Sequence, residues 1–205
     1  MCGRFYLDMD DPELTKLFSS IKEKPDSHSS GYKTGEIFPT NRVPIITPQG
    51  ITIAKWGFPK WDKKGVIINA RSESLRQRDM FKDLVDKKRC IIPASAYFEW
   101  KKTSEDGEKG KYIIGKEKSI LYMAGLFNTF TEKAEQLSLL DEANGTDYLA
   151  FTIITKEANN YLAKIHHRMP LIIDSNQVED WFKGEDLSLF KSKEEQNMLY
   201  KLYAN

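Results

Sequence analysis

The chain contains little cysteine and histidine, and it lacks long apolar runs. Its 205 residues include two cysteines, Cys2 and Cys90, and three histidines. Two cysteines do not make the disulfide framework of a small secreted domain, so a reducing cytoplasm is the expected location. No apolar run reaches the roughly 18 residues that a membrane-spanning helix requires, and the N-terminus lacks the basic and apolar regions of a signal peptide. The sequence therefore indicates neither membrane insertion nor secretion.

The chain also lacks an excess of positive charge. Its 31 lysines and arginines nearly balance 30 aspartates and glutamates, which gives a formal net charge of +1. Because phosphate contacts supply most of the affinity for nucleic acid, a DNA or RNA partner would require basic residues gathered locally. No metal site is expected, because the adjacent His166 and His167 and the two distant cysteines lack the short ligand spacing of structural zinc sites.

Hydrophobic periodicity predicts one α+β domain over residues 1–205, without repeats or a linker. The Pro48-Gln49-Gly50 turn between two β-branched runs predicts a hairpin. Further strands are expected at Arg89–Pro93, Ser95–Trp100, Tyr112–Lys116, Ile120–Phe127 and Tyr148–Thr155. Two segments interrupt these strands: a charged hairpin tip at 101–111 and an insertion at 131–147. One interpretation of the insertion is a helical middle.

Helices are expected at both ends of this strand-rich middle. One begins at the N-cap Asp11, with Pro12 in its first turn, and ends near Lys24. From Glu157 onward the pattern turns helical, and apolar spacing predicts a last amphipathic helix over residues 185–203. A shorter helix is expected through Met80–Val85.

Cys2 is the first candidate for chemistry. Removal of Met1 would leave a free α-amine, with a pKa of about 7.7–8.0, beside the thiol. Such an aminothiol condenses with an aldehyde to a Schiff base, and the thiol then closes a thiazolidine ring on the same carbon. Its thiolate is also an acyl-transfer nucleophile where a neighbour lowers the thiol pKa. The alternative is a small buried residue that anchors the terminus, as expected of Cys90 in the core.

Glu99 and His166 are candidate proton-transfer groups. Strand alternation places Glu99 on the same face as Tyr97 and opposite Trp100, so its carboxylate is either ion-paired or has a raised pKa suited to proton transfer. His166 follows a short helical stretch, and histidine is the natural acid or base near neutral pH. A histidine at the C-terminal end of a helix is the alternative.

Polar residues at a strand end and an aromatic cluster are candidates for binding. Asn69 and Arg71 in "INARSES" directly follow a strand, where Asn69 can donate and accept and Arg71 can bind a phosphate or carboxylate. A turn with a surface ion pair is the alternative. Trp56, Phe58 and Trp61 in "KWGFPKW" are suited to stacking on bases between lysines, or to the core.

Four motifs in order carry a resemblance to a known family. They are "MCGRF", "INARSES", "RCIIPASAYFEW" and "IHHRMP", and "WGFPKW" and "FTIITKEAN" also match. From Cys2 to about Pro170 the chain closely resembles the SRAP family, the SOS-response-associated, abasic-site processing proteins. The resemblance implies a single β-rich α+β domain with a curved, barrel-like antiparallel sheet flanked by helices.

The resemblance also implies roles for individual residues. Cys2 resembles the nucleophile that cross-links to the abasic-site aldehyde, and Asn69 is similar to the residue that holds the N-terminal cysteine and the sugar. Glu99 resembles the carboxylate that orients or deprotonates the amine, and His166 the group that assists sugar ring-opening. By the same resemblance, further residues contact DNA: Arg4 and Arg71 at phosphates, and Pro39 and Trp61 where the strand kinks and bases unstack.

The implied partner is single-stranded DNA with abasic sites, bound by a cytoplasmic, monomeric protein that associates with the nucleoid and needs no cofactor. The leading hypothesis is a DNA-damage (SOS) response protein that shields abasic sites covalently once Met1 is removed. The alternatives are a cysteine peptidase or autopeptidase, with His166 as base and Glu99 as orienting group, and a non-covalent single-strand-binding module. Lyase-like activity also stays open.

Overall fold

A computed structural model describes residues 2–21, 31–62, 64–102, 108–117, 119–132, 145–190 and 197–203. The centre of the expected charged hairpin tip and most of the 131–147 insertion lie outside the described residues. The strands are β1 Arg4–Leu7, β2 Gly35–Ile37, β3 Arg42–Thr47, β4 Gly50–Trp56, β5 Phe58–Pro59, β6 Val66–Ile67, β7 Asn69–Arg71, β8 Arg89–Ala94, β9 Ala96–Lys102, β10 Lys109–Lys116, β11 Leu121–Glu132, β12 Thr146–Glu157, β13 Arg168–Pro170 and β14 Met198–Leu202.

Helical segments in the described part of the chain are short. The α-helices are α1 Pro12–Phe18, α2 Asp79–Lys82 and α3 Val178–Phe182, and the 3-10 turns are Ser72–Gln77, Leu162–Lys164, Ser175–Gln177 and Leu187–Leu189. None of the described helices is long and apolar enough to cross a membrane.

Two sheets form most of the fold. Among the described strands, one antiparallel sheet runs in the order β14-β10-β9-β1-β2. The other runs β11-β8-β3-β4-β12, and because β12 also pairs with β11 it closes into a barrel. β7 and β13 attach to β12, which pairs in parallel with β4 and β7 and antiparallel with β11 and β13. The predicted α+β fold with a barrel-like sheet is confirmed, and the parallel pairs add to it.

Two apolar clusters hold these layers together. The first joins the five-stranded sheet and α1 to the barrel, for example where the Phe5 and Trp56 rings meet edge to face at 5.0 Å between centroids. The second packs Phe81 of α2 and Trp181 of α3 against the barrel. Because Cys90 is fully buried in the first cluster, its predicted place in the core is confirmed.

Local signals placed the first helix and the first hairpin well. The Asp11 side chain accepts hydrogen bonds from the backbone N–H groups of Glu13 and Leu14, so it is the N-cap that the sequence predicted. In the hairpin, Thr47 lies opposite Gly50. The expected end of the first helix near Lys24 is wrong, because α1 ends at Phe18 with Ser19 as its C-cap.

The predicted C-terminal helix over 185–203 is wrong. A 3-10 turn at Leu187–Leu189 is followed, after residues outside the description, by strand β14, which pairs with β10 from Tyr112↔Leu202 to Lys116↔Met198. Strand pairing here overrides a local apolar spacing that also fits a helix. Where the structure describes the chain from Glu157 to Phe190, the expected helical pattern gives 3-10 turns and α3, with β13 between the first turn and the others. The helix expected through Val85 is α2, followed by turns.

Candidate functional site

Cys2 lies two residues before the start of β1 at Arg4, where the barrel meets the five-stranded sheet. Its side chain is fully buried, and its Sγ donates to the carbonyl oxygen of Arg4 at 3.7 Å. The Cys2 carbonyl oxygen accepts a hydrogen bond of 2.8 Å from Nδ2 of Asn69, a residue 67 positions later. Burial, and next the negative charge of Glu99, raise the pKa of the Cys2 thiol well above its ordinary value. The thiol is therefore neutral at pH 7.

Glu99 lies beside this terminus on strand β9. The antiparallel pairing of β1 with β9 sets Arg4 opposite Phe98 and so brings the residues before β1 alongside Glu99. The Glu99 side chain is 2% exposed, and burial raises the pKa of its carboxyl to about 7. Since a carboxyl with that pKa exchanges a proton near neutral pH, Glu99 has the property required of a base.

His166 follows the 3-10 turn Leu162–Lys164 and precedes β13. Its Nδ1 accepts a hydrogen bond of 3.0 Å from the backbone N–H of Arg168 and lies 3.3 Å from the Arg168 carbonyl oxygen, and the shorter contact favours the neutral ring with its proton on Nε2. Burial, and then nearby positive charges, lower the pKa of His166, so the ring is neutral at pH 7. The ring stacks on His167 with 4.4 Å between centroids.

Asn69 and Arg71 sit at the start and end of β7, which pairs in parallel with β12. Oδ1 of Asn69 is buried and accepts no hydrogen bond from the described residues, while Nδ2 holds the Cys2 carbonyl. Both residues line a groove of about 1020 Å³, together with Arg78, Met80, Phe81 and Arg168, among others. The backbone of Cys2 is thus bonded to a residue that also faces an open, partly basic groove.

The other expected binding residues lie farther out. Arg4 is on the face of the five-stranded sheet, where its Nη1 donates to Glu36 Oε1 at 3.0 Å. Pro39 is half-buried in the turn between β2 and β3. Trp61, at the turn joining β5 and β6, is 94% exposed, whereas Trp56 and Phe58 are fully buried. Of the aromatic candidates in "KWGFPKW", Trp61 alone is available to a ligand.

No group of three or more His, Cys, Asp or Glu side chains in the described ranges could hold a metal ion. The candidate side chains provide an amide that contacts Cys2, a carboxyl with a pKa of about 7 and a neutral imidazole.

Comparison with known proteins decides the family. The model of the family described as "SOS response associated peptidase (SRAP)" matches residues 1–204. The chain belongs to the SRAP family. The resemblance carried by the four sequence motifs is thereby confirmed.

Relatives within the SRAP family carry informative names. The chain is similar to "Abasic site processing protein YoqW" of Bacillus subtilis (strain 168), with 27% identity over 195 residues that cover 91% of this chain and 82% of the relative. It is also similar to "Abasic site processing protein YedK" of Escherichia coli (strain K12), with 34% identity over 131 residues, 63% of this chain and 54% of the relative.

A solved structure agrees on the fold. A Bacteroides thetaiotaomicron protein, determined by X-ray crystallography, superposes with a TM-score of 0.75 at 23% identity and covers 100% of this chain and 93% of its own. At that identity the match speaks for the fold alone.

The sequence did not single out two acidic partners in this SRAP chain. Arg168, in "HHRMP", donates through both Nη atoms to Glu73 at 2.7 and 2.9 Å and through Nη2 to the Thr155 carbonyl at 2.6 Å. The Glu36 carboxylate accepts hydrogen bonds from Arg4 and from Lys111. Glu73 could have been noticed in the sequence, because it lies four residues after Asn69 in the same motif. The pairing of Glu36 with Arg4 could not, because strand pairing brings these residues together.

Proposed function

We propose that this chain processes abasic sites: it binds single-stranded DNA and captures the ring-opened sugar aldehyde on Cys2 as a covalent thiazolidine. The observation that carries the proposal is the hydrogen bond of 2.8 Å by which Asn69, a residue that lines the groove, fixes the Cys2 carbonyl. A residue so close to a terminus is otherwise poorly ordered, so a tie to a distant strand indicates that its position matters.

The protonation states of the neighbours suit this chemistry. The Cys2 amine must be neutral to attack the aldehyde, and Glu99, with a pKa of about 7, takes up the proton. His166 is neutral and carries its proton on Nε2, so it is the donor for the sugar oxygen during ring-opening. The high pKa of the thiol is no obstacle, because a neutral thiol adds to a Schiff base once a base removes its proton.

The reaction balances with one water released. The amine nitrogen of Cys2 attacks the aldehyde carbon, and loss of water gives the C=N bond of a Schiff base. The sulfur then adds to that carbon, and the thiol proton ends on the nitrogen, which stays in the five-membered ring as a secondary amine. No oxidant, metal or organic cofactor takes part. The aldehyde is consumed, so strand cleavage by β-elimination slows.

Basic and aromatic side chains around the groove provide a path for the DNA. Arg71 and Arg78 line the groove and can bind phosphates through their planar donors, whereas the guanidinium of Arg168 is engaged by Glu73. Trp61 is 94% exposed and can stack on a base, and Arg4 and Pro39 are further DNA contacts by the family resemblance. The carboxylates of Glu73 and Asp79 also line the groove and offset part of its positive charge.

The first test compares Cys2 with and without a preceding residue. The chain is produced with a cleavable extension whose removal leaves Cys2 as the first residue, and the two forms are mixed with single-stranded DNA that contains an abasic site. We expect a heat-stable cross-link on a denaturing gel from the cleaved form and none from the uncleaved form, because only the former has the aminothiol. Intact mass must show loss of one water relative to the sum of the reactants. Equal cross-linking by both forms would contradict the thiazolidine mechanism.

A second prediction concerns pH. We expect the rate of capture by the wild type to rise with pH around 7, where Glu99 ionises, since the deprotonated carboxylate is the base. Glu99→Gln should lower the rate about 10²-fold and move the rise toward about 7.7–8.0, where the amine ionises alone. Single-turnover gels across the pH range measure both effects.

The exposed Glu157, replaced by Gln, is the matched control for Glu99→Gln and should keep the wild-type profile. A Glu99→Gln protein with an unchanged rate and midpoint would remove Glu99 from the mechanism.

A cysteine peptidase is the alternative enzyme, with His166 as base and Glu99 as orienting group. The raised pKa of the Cys2 thiol speaks against it, because such enzymes use a thiolate at neutral pH. Labelling of Cys2 by an electrophilic peptide probe would favour the peptidase if added DNA did not change the labelling. DNA binding that survives Cys2→Ser, with no adduct from the wild type, would favour a non-covalent binding module.

A further inference from the structure

A cluster of two cations and one carboxylate lies on the five-stranded sheet, and neither Glu36 nor Lys111 in it has a role in the proposed chemistry. Arg4 of β1, Glu36 of β2 and Lys111 of β10 come together there. Glu36 Oε1 accepts from Arg4 Nη1 at 3.0 Å and from Lys111 Nζ at 2.9 Å, and Oε2 accepts from Lys111 Nζ at 2.8 Å. One carboxylate therefore occupies the position where the two cations converge.

Aromatic rings hold both cations in place independently of Glu36. The guanidinium carbon of Arg4 is 4.5 Å from the ring centroid of Phe38 and 4.9 Å from that of Trp100. Nζ of Lys111 is 4.2 Å from the ring centroid of Phe98 and also contacts the ring of Tyr203. Because cation–π contacts fix the cations, replacing the carboxylate leaves both near their present positions.

The convergence point is accessible from the side of Arg4 and Glu36 and suited to a phosphate. The side chain of Arg4 is 37% exposed and that of Glu36 25%, so a strand on the surface can reach them, whereas the side chain of Lys111 is 12% exposed. Arginine and lysine are the usual phosphate-binding residues, and a guanidinium has five N–H donors, of which Glu36 engages Nη1. Burial opposes ionisation of Glu36, but the hydrogen bonds from Lys111 and Arg4 outweigh it and lower the pKa of the carboxyl, so it is charged at neutral pH.

We propose that the Glu36 carboxylate occupies the position of a DNA phosphate between Arg4 and Lys111 and thereby weakens the binding of undamaged single-stranded DNA. A phosphodiester approaching Arg4 must displace Glu36 or meet its charge. The chain then samples intact strands and releases them, and firm retention depends on covalent capture at Cys2. This inference rests on the proposed function, since Arg4 is a phosphate contact only if the chain binds DNA.

The test measures the affinity for undamaged DNA, in which Cys2 has no aldehyde to capture. Fluorescence anisotropy with a fluorescein-labelled oligothymidine is recorded for the wild type and Glu36→Gln over a range of NaCl concentrations. We expect Glu36→Gln to bind about three- to tenfold more tightly. The slope of log K against log salt should steepen by about 0.7, because one more phosphate is neutralised.

Two further comparisons separate this effect from simple loss of negative charge or of folding. Asp180→Asn removes a carboxylate on α3 whose Oδ1 lies 3.0 Å from Lys183 Nζ, and the substitution should leave the affinity for DNA unchanged. Lys111→Gln and Glu36→Gln/Lys111→Gln are compared with each other, because the double variant leaves no unpaired ammonium. Removal of the carboxylate in the Lys111→Gln background must also tighten binding.

The role of Glu36 is overturned if the wild type binds DNA but Glu36→Gln and the double variant show unchanged or weaker binding. The proposed function is left intact by that result. An affinity gain by Asp180→Asn equal to that of Glu36→Gln also overturns it, since the effect would then be general. Failure of the wild type to bind single-stranded DNA at all overturns the proposed function, and this inference with it.

Discussion

Cys2→Ala is expected to abolish the heat-stable adduct with abasic single-stranded DNA completely, while non-covalent binding to undamaged DNA stays at the wild-type level. The substitution keeps a free α-amine at the terminus, so a Schiff base can still form, but without sulfur no ring closes and hydrolysis returns the aldehyde. Adducts trapped by borohydride should therefore persist, whereas heat-stable adducts on a denaturing gel should vanish. The contrast isolates ring closure from amine attack.

Cys90→Ala is the matched control, because Cys90 is also a fully buried thiol in the same apolar cluster. Burial raises the pKa of both thiols well above the ordinary value, so differences in thiol ionisation do not separate them. The Cys90→Ala protein should cross-link at the wild-type rate, although a core cavity lowers its stability. If Cys2→Ala retained the heat-stable adduct, another nucleophile would be responsible.

The candidate site residues could be singled out from the sequence because they lie in short motifs whose order is specific. The face of Glu99 could also be derived from strand alternation, and the structure shows it buried. What brings Asn69 to the Cys2 carbonyl is different, since the two residues are 67 positions apart and meet through two sheets. Long-range pairs such as Arg4 with Glu36 likewise depend on strand register, which a single sequence does not encode locally.

The C-terminal segment shows why the fold could be predicted only in part. Apolar residues between 185 and 203 recur at helical spacing, but Met198 is buried, while Leu199 and Leu202 are more than half exposed. Pairing with β10 satisfies the backbone of β14 and places Tyr200 against Tyr161, with 4.8 Å between ring centroids. The partner strand decides the conformation here, and it lies about 85 residues earlier in the chain.

A buried arginine that the sequence placed merely at the start of a strand holds part of the groove in position. Arg89 is 1% exposed, and its Nε donates to the Val85 carbonyl at 2.6 Å. Its Nη1 and Nη2 donate at 3.2 Å to the carbonyls of Trp181 and Gly184. The guanidinium also lies 4.4 Å from the Trp181 ring centroid. One side chain thus connects β8 to α3 and to the segment that follows α2. Met80 and Phe81 of α2 line the groove.

Arg89→Met is expected to lower the free energy of unfolding by about 3–5 kcal/mol, because the change keeps the apolar stem but leaves buried carbonyls without donors. Urea unfolding followed by tryptophan fluorescence should show the midpoint fall by about 1–2 M with an unchanged slope. Arg76→Met is the matched control: Arg76 binds the same Asp86 that lies near Arg89, but its side chain is 54% exposed. An exposed ion pair contributes little, so its midpoint should barely move. Equal midpoints for the two variants would show that the Arg89 hydrogen bonds do not anchor this part of the fold.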